Sequence, residues 1–289
     1  MPCADGLPSP GVVVEGSIPA MIHAPHCSTA LPTVLTNGCR FSCDPVAEAE
    51  LMADSGTAPM CALLAAGARC ERGDGNGSGR PDALRSMLAG ASSATASVSR
   101  ILVDYERFDS EAEEMAAVGM GVVYESAHDL SPLYEAAIPG SAMAARKAVY
   151  RAWTDSVEAE ALRILSAHGR LLFVDLHSYA VEALPYELHS DLARPPLCVG
   201  VDADDEALGA VLHAVDGHHG VALANEPFRG SYRPLSLLGD GRVSSVMLEI
   251  RKDMVDPASG RVDAAVCSAM ADVLAAAASS IGIRLPCDG

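Results

Sequence analysis

The stretch LLFVDLHSYA, Leu171–Ala180, decides how this chain is read. Leu171, Leu172, Phe173 and Val174 form an unbroken apolar run, the pattern of a strand covered on both faces. Asp175, His177 and Ser178 follow at once. Residues two apart on a strand share a face, so Asp175 and His177 project together, and the acid can orient the imidazole. Open α/β sheets collect ligands beyond the carboxyl ends of their strands. A core strand that ends in these groups therefore points to chemistry at that end.

Working outward, PPLCVGVD, GVALANEPF and SSVMLEIRK read as three more strands, and SRILVDYERF as another. GVVVEGSIPAMIHAPH reads as two short strands with a turn at Gly16 and Ser17. Helical spacing runs through DPVAEAELMADSG, with Asp44 as N-cap and Pro45 at the first position. The segment from Ser141 to His168 predicts one long helix or a pair. DDEALGAVLHAVDGHHG and RVDAAVCSAMADVLAAAASSIG are further helices, the last closing near Gly282. Strands interleaved with helices imply an α/β fold with both sheet faces covered. The composition of 71–82, ERGDGNGSGRPD, predicts a flexible surface loop inside a single domain spanning 1–289.

The chain has 289 residues, 49% of them hydrophobic, enough for one large core. Its formal charge is −18, and Lys147 and Lys252 are its only lysines. That balance speaks against nucleic-acid partners and against a polybasic membrane surface. No run of 18 apolar residues suggests a membrane span, and the N-terminus lacks the pattern of a secretory signal. The nine cysteines are scattered, with no C-x-x-C. Reduced thiols and a cytoplasmic location are expected.

The chain has no G-x-S-x-G elbow, P-loop, complete G-x-G-x-x-G or H-E-x-x-H. Three strand ends do carry polar groups: IHAPHCS with His23 and His26, VDLHS with Asp175 and His177, and VMLEIRKD with Glu249. Two imidazoles and a carboxylate hold zinc and leave a position for water, and a second carboxylate beside it serves as general base. The alternative for each histidine is a hydrogen-bonded structural role. For Glu249 it is a pairing with Arg251 or another arginine, because a lone buried carboxylate is costly. Arg107 suits bidentate carboxylate recognition, or else a surface salt bridge. Gly119 and Gly121 predict a turn. Cys27 follows His26 but faces the other way on an extended strand, which favours a packed thiol over a nucleophile.

The segments APHCSTALP, ELMADSGT, LVDYERF, VGMGVVY, FVDLHSYAVEALPYE, NEPFRGSY and SVMLEIRKDM occur in the order seen in the N-formylglutamate amidohydrolase family, which the chain resembles from about Pro19 to Met254. The resemblance implies a three-layer α/β/α sandwich with a mixed central sheet, like that of zinc carboxypeptidases. It also implies one zinc or other divalent ion that activates water to cleave an amide of a small acyl-amino acid. His26 and His177 match the metal histidines. Asp54 is the implied third ligand, with Glu50 as the weaker option. Glu249 matches the general base. Arg107 matches the arginine of an Asn-Arg pair that binds the substrate carboxylate, but Glu106 stands in the Asn position. Arg251, Arg229, Arg233, Tyr232 and Ser178 are further substrate contacts on this basis. The expected reaction is N-formyl-L-glutamate to formate and glutamate. Hydrolysis of another acyl-amino acid or small peptide, or a non-catalytic binding role, are the alternatives.

Overall fold

The structure is a computed structural model and describes residues 6–66, 87–110 and 113–285. The expected loop at 71–82 lies outside the described residues. Seven strands form one sheet: β1 (Gly11–Val14), β2 (Ala20–Ala24), β3 (Ser92–Ala96), β4 (Leu171–Tyr179), β5 (Leu197–Val201), β6 (Ala222–Ala224) and β7 (Val243–Arg251). Their order is β1-β3-β2-β4-β7-β5-β6. β3, β2, β4 and β7 run parallel to one another, while β1 and β5 pair antiparallel with β3 and β7. The sheet is therefore mixed, and the carboxyl ends of its central strands share one edge.

The period of two along each strand builds two separate cores. Ala20, Ile22, Ala24, Leu172, Val174, Leu176, Val246, Leu248 and Ile250 face one side. There they pack against α3 (Thr57–Ala65), α5 (Leu208–Asp216) and α6 (Ala264–Ser280). Met21, Leu171, Phe173 and Val243 face the other side and meet α4 (Gly140–His168). Helix α4 buries Val149, Tyr150, Trp153, Val157, Ala161 and Ile164, a helical stripe that covers the sheet. The three-layer α/β/α sandwich with a mixed sheet is thus what the chain forms.

One expected strand needs correction. SRILVDYERF is not a strand. Its backbone turns on itself, Leu102 and Val103 N–H both donating to Ser99 O, while Ile101, Leu102, Val103 and Tyr105 are fully buried. The strand of this region is the preceding SSATA, β3, whose small residues carry little hydrophobic signal. GVVVEGSIPAMIHAPH does form two short strands, β1 and β2, and β3 lies between them in the sheet. The long helical segment is one helix, ended by Gly169 at φ 76°. The short helix α1 (Thr33–Thr36) precedes α2 (Pro45–Met52), where the Asp44 carboxylate accepts from Val46 N–H as the N-cap.

Candidate metal centre and active site

The polar ends of β2, β4 and β7 meet on the α4 side of the sheet. Register pairs His23 with Asp175, and His177 with Glu249, on adjacent strands. The chain leaving β2 brings His26 to the same place. Asp54 follows α2 and is held by its N–H donating to His26 O at 2.9 Å. The buried turn after β3 supplies Arg100, Asp104, Glu106 and Arg107. Of these, all but His23 and Asp104 line a cavity of about 440 Å³.

The two imidazoles are almost fully enclosed, His26 at 2% and His177 at 3% exposure. His26 Nε2–H donates to Asp104 Oδ1 at 2.8 Å, and His177 Nδ1–H donates to Asp54 Oδ2 at 2.8 Å. His177 Nε2 lies 3.1 Å from Glu106 Oε1 and 3.2 Å from Asp175 Oδ1. His26 Nδ1 is buried without a hydrogen-bond partner among the described residues, with Asp54 Oδ2 and Glu106 Oε2 each 3.6 Å away. An unsatisfied buried nitrogen between two carboxylate oxygens is costly unless something else binds it. Donor atoms of His26, Glu106 and His177 all lie within 4.8 Å of one another. So do those of His23, Glu106 and Asp175. His23 is closed off further by Tyr232, stacked at 5.0 Å, and by its 3.0 Å hydrogen bond to Asp175.

Acids dominate the centre. Asp54, Asp104, Glu106, Asp175 and Glu249 are faced by Arg100, Arg107 and the imidazoles, with Lys252 also in the cavity wall. Burial opposes every one of these charges. Even so, Arg107, His26 and Arg100 hold the Asp104 carboxyl well below its ordinary range. Burial and the Asp175 charge push Glu106 up. Burial also pushes Glu249 up, to about 8. Its Oε2 is enclosed without a partner among the described residues. Burial and Arg100 press on the His26 imidazole, but Asp104 and Glu106 raise its pKa on balance. A divalent cation would relieve this excess of negative charge, and the imidazole and carboxylate donors suit one.

The expected residues divide into two groups. His26, Asp54, His177, Glu249, Arg107, Ser178, Tyr232, Arg229 and Arg233 all line the cavity. Glu50 is exposed on α2 and does not. Arg251 does not either. It lies on the Glu249 face one step further along β7, and its guanidinium is bound to Asp253 at 2.7 Å and to Arg194 O at 2.6 Å. Arg233 is committed to Asp202 and Asp205, both at 3.0 Å. Arg107 spends its guanidinium on Met120 O and Asp104. Ser178 Oγ donates to Ser55 O at 2.9 Å. Exposed Arg229 makes no ion pair among the described residues. Its loop lies close on β5, since a Cβ at Gly200 would sit 2.0 Å from Gly230 O. Asn225 Oδ1 ties that loop by accepting from Val201 and Gly230 N–H. Cys27 donates to Ala96 O, and burial pushes its thiol up to about 11, as fits a packed residue. Sequence reasoning missed Asp104 and Arg100. The only signal was that acid and base sit four apart within one apolar run.

A model of the N-formylglutamate amidohydrolase family matches residues 18–255, most of the chain. The chain belongs to the N-formylglutamate amidohydrolase family. Among solved structures, this family member is similar to an N-formylglutamate amidohydrolase from Ralstonia eutropha JMP134. The TM-score is 0.65 at 14% identity, covering 93% of this chain and 96% of that one. It is also similar to a gene product of Agrobacterium tumefaciens, with TM-score 0.64 and 16% identity over 95% and 96% of the two chains. At such identities the structural likeness speaks for the fold. No sequence among curated proteins is significantly similar to this amidohydrolase-family chain. The six described cysteines form no disulfide. Among the described residues no helix is long and apolar enough to cross a membrane.

Proposed function

We propose that this family member is a metal-dependent hydrolase of N-acyl amino acids, and that N-formyl-L-glutamate is its substrate. The observation that carries the reading is the meeting of His26, His177 and Glu249, from three separate chain segments, in one cavity where the buried His26 Nδ1 has no partner among the described residues. His26 and His177 hold the ion together with a neighbouring carboxylate, and Asp54 is the one the family resemblance implies. Such an ion supplies Lewis-acid polarisation of the acyl carbonyl and lowers the pKa of water to about 7. The donors suit zinc.

Glu249 accepts a proton from water as the water oxygen bonds to the acyl carbon. It passes that proton to the amine nitrogen as the C–N bond breaks, giving formate and glutamate. Burial raises the basicity of the Glu249 carboxylate above that of an exposed glutamate, which favours this shuttle. Arg229, exposed at the mouth, anchors the substrate's free carboxylate, with Arg107 behind it. Tyr232 offers a hydroxyl donor on the same wall.

The test is metal analysis followed by turnover. About one zinc per chain is expected in the purified protein, lost in His177→Ala. Formyl-glutamate should then be hydrolysed faster than its acetyl and succinyl analogues. Faster turnover of another acyl group would reassign the substrate. Failure to take up any divalent ion would end the metal-hydrolase reading.

A further inference from the structure

The resemblance makes Asp54 the carboxylate ligand and gives Glu106 no place at the metal. The hydrogen bonding of the two histidines says otherwise. A metal-bound imidazole offers one nitrogen to the ion and donates the other N–H to a carboxylate or carbonyl, which fixes its orientation. Each histidine has one nitrogen engaged in that way by an aspartate at 2.8 Å, His26 Nε2 by Asp104 and His177 Nδ1 by Asp54. The nitrogens left over are His26 Nδ1, which is buried without a hydrogen-bond partner among the described residues, and His177 Nε2. Glu106 faces both, Oε2 at 3.6 Å from His26 Nδ1 and Oε1 at 3.1 Å from His177 Nε2. Those three donors lie within 4.8 Å of one another. Asp54 meets His177 only through the opposite side of the ring.

We propose that Glu106 is the carboxylate ligand of the divalent ion in this chain, and that Asp54 is a positioning residue that orients His177. This rests on the metal-hydrolase reading above. The Asn position of the substrate-binding pair has become a metal position. One consequence is that Arg229 carries more of the substrate-carboxylate anchoring than Arg107, whose attraction a neighbouring ligand carboxylate weakens.

The experiment compares the full-length protein with Glu106→Gln and Asp54→Asn. Zinc affinity is measured by competition with a chromophoric chelator, and the cobalt(II)-loaded proteins are followed by visible absorption. Glu106→Gln is expected to weaken zinc by more than about 100-fold, beyond the roughly 10–100-fold of outer-shell substitutions. It should also change the cobalt d–d bands, because a donor atom is lost. Asp54→Asn is expected to fall inside the outer-shell range and leave the bands in place. Circular dichroism checks folding. Should Glu106→Gln not fold, Glu106→Asp keeps the charge, shortens the reach and is expected to shift the same bands. Unchanged bands and affinity in the Glu106 variants, with both altered in Asp54→Asn, would overturn the assignment and leave the hydrolase reading standing. A wild-type protein that binds neither zinc nor cobalt would overturn both.

Discussion

The two faces of β4 and β7 differ along their length. Towards α3, α5 and α6 the strands are mainly aliphatic, through Leu172, Val174 and Leu176, and Val246, Leu248 and Ile250, with the small polar Ser178 and Ser244 at their ends. Towards α4 they begin with Leu171, Phe173 and Val243 and finish with Asp175, His177 and Glu249. The same backbone serves both faces, so geometry alone does not explain the change. Burying carboxylates and imidazoles costs several kcal/mol unless they find partners. Only the second face has them, supplied by Asp54 and by the Arg100–Arg107 turn. One face stores stability, and the other spends it on a polar site.

Four experiments break or sharpen this contrast. The largest effect is expected from Glu249→Gln, which should keep the metal but lose turnover by about 10²–10⁴-fold, read as kcat with formyl-glutamate. Full activity would remove the general base. On the aliphatic face, Leu176→Ala should cost about 2–5 kcal/mol in denaturant unfolding and leave metal affinity near wild type. A large loss of metal with little loss of stability would mean the faces are not separable.

The third experiment uses pH. Glu249 ordinarily titrates at 4.5, and burial raises it to about 8 in the folded protein. The folded state therefore binds more protons than the unfolded state between those values, so the metal-free protein loses stability as pH rises through that window. Thermal melts should show this slope diminished in Glu249→Gln. A slope unchanged by the substitution would refute the burial argument.

The smallest effects concern the arginines. Arg229→Ala should raise KM roughly tenfold with kcat little changed, the signature of lost uniform binding. Arg251→Ala should alter neither, since its guanidinium is bound to Asp253 and Arg194 O, away from the cavity. An equal effect from both would mean that the cavity mouth does not discriminate between them.

Much of this was legible in the chain. Periodicity in β4 and β7 disclosed the covered sheet, and the three polar strand ends disclosed His26, His177 and Glu249. These signals are local, because strand alternation and helix capping depend on neighbours in sequence. β3 was illegible for the same reason: SSATA has little apolar area of its own, and only its place between β1 and β2 makes it a strand. The roles of Glu106, Asp104 and Arg100 were equally hidden. They lie in an apolar run that resembles a strand but folds as a buried turn. Which carboxylate meets which imidazole nitrogen depends on contacts 71–123 residues apart. The sequence by itself determined the layers and the residues able to do chemistry. The tertiary structure alone decided their partners, because hydrogen bonds and desolvation act through space.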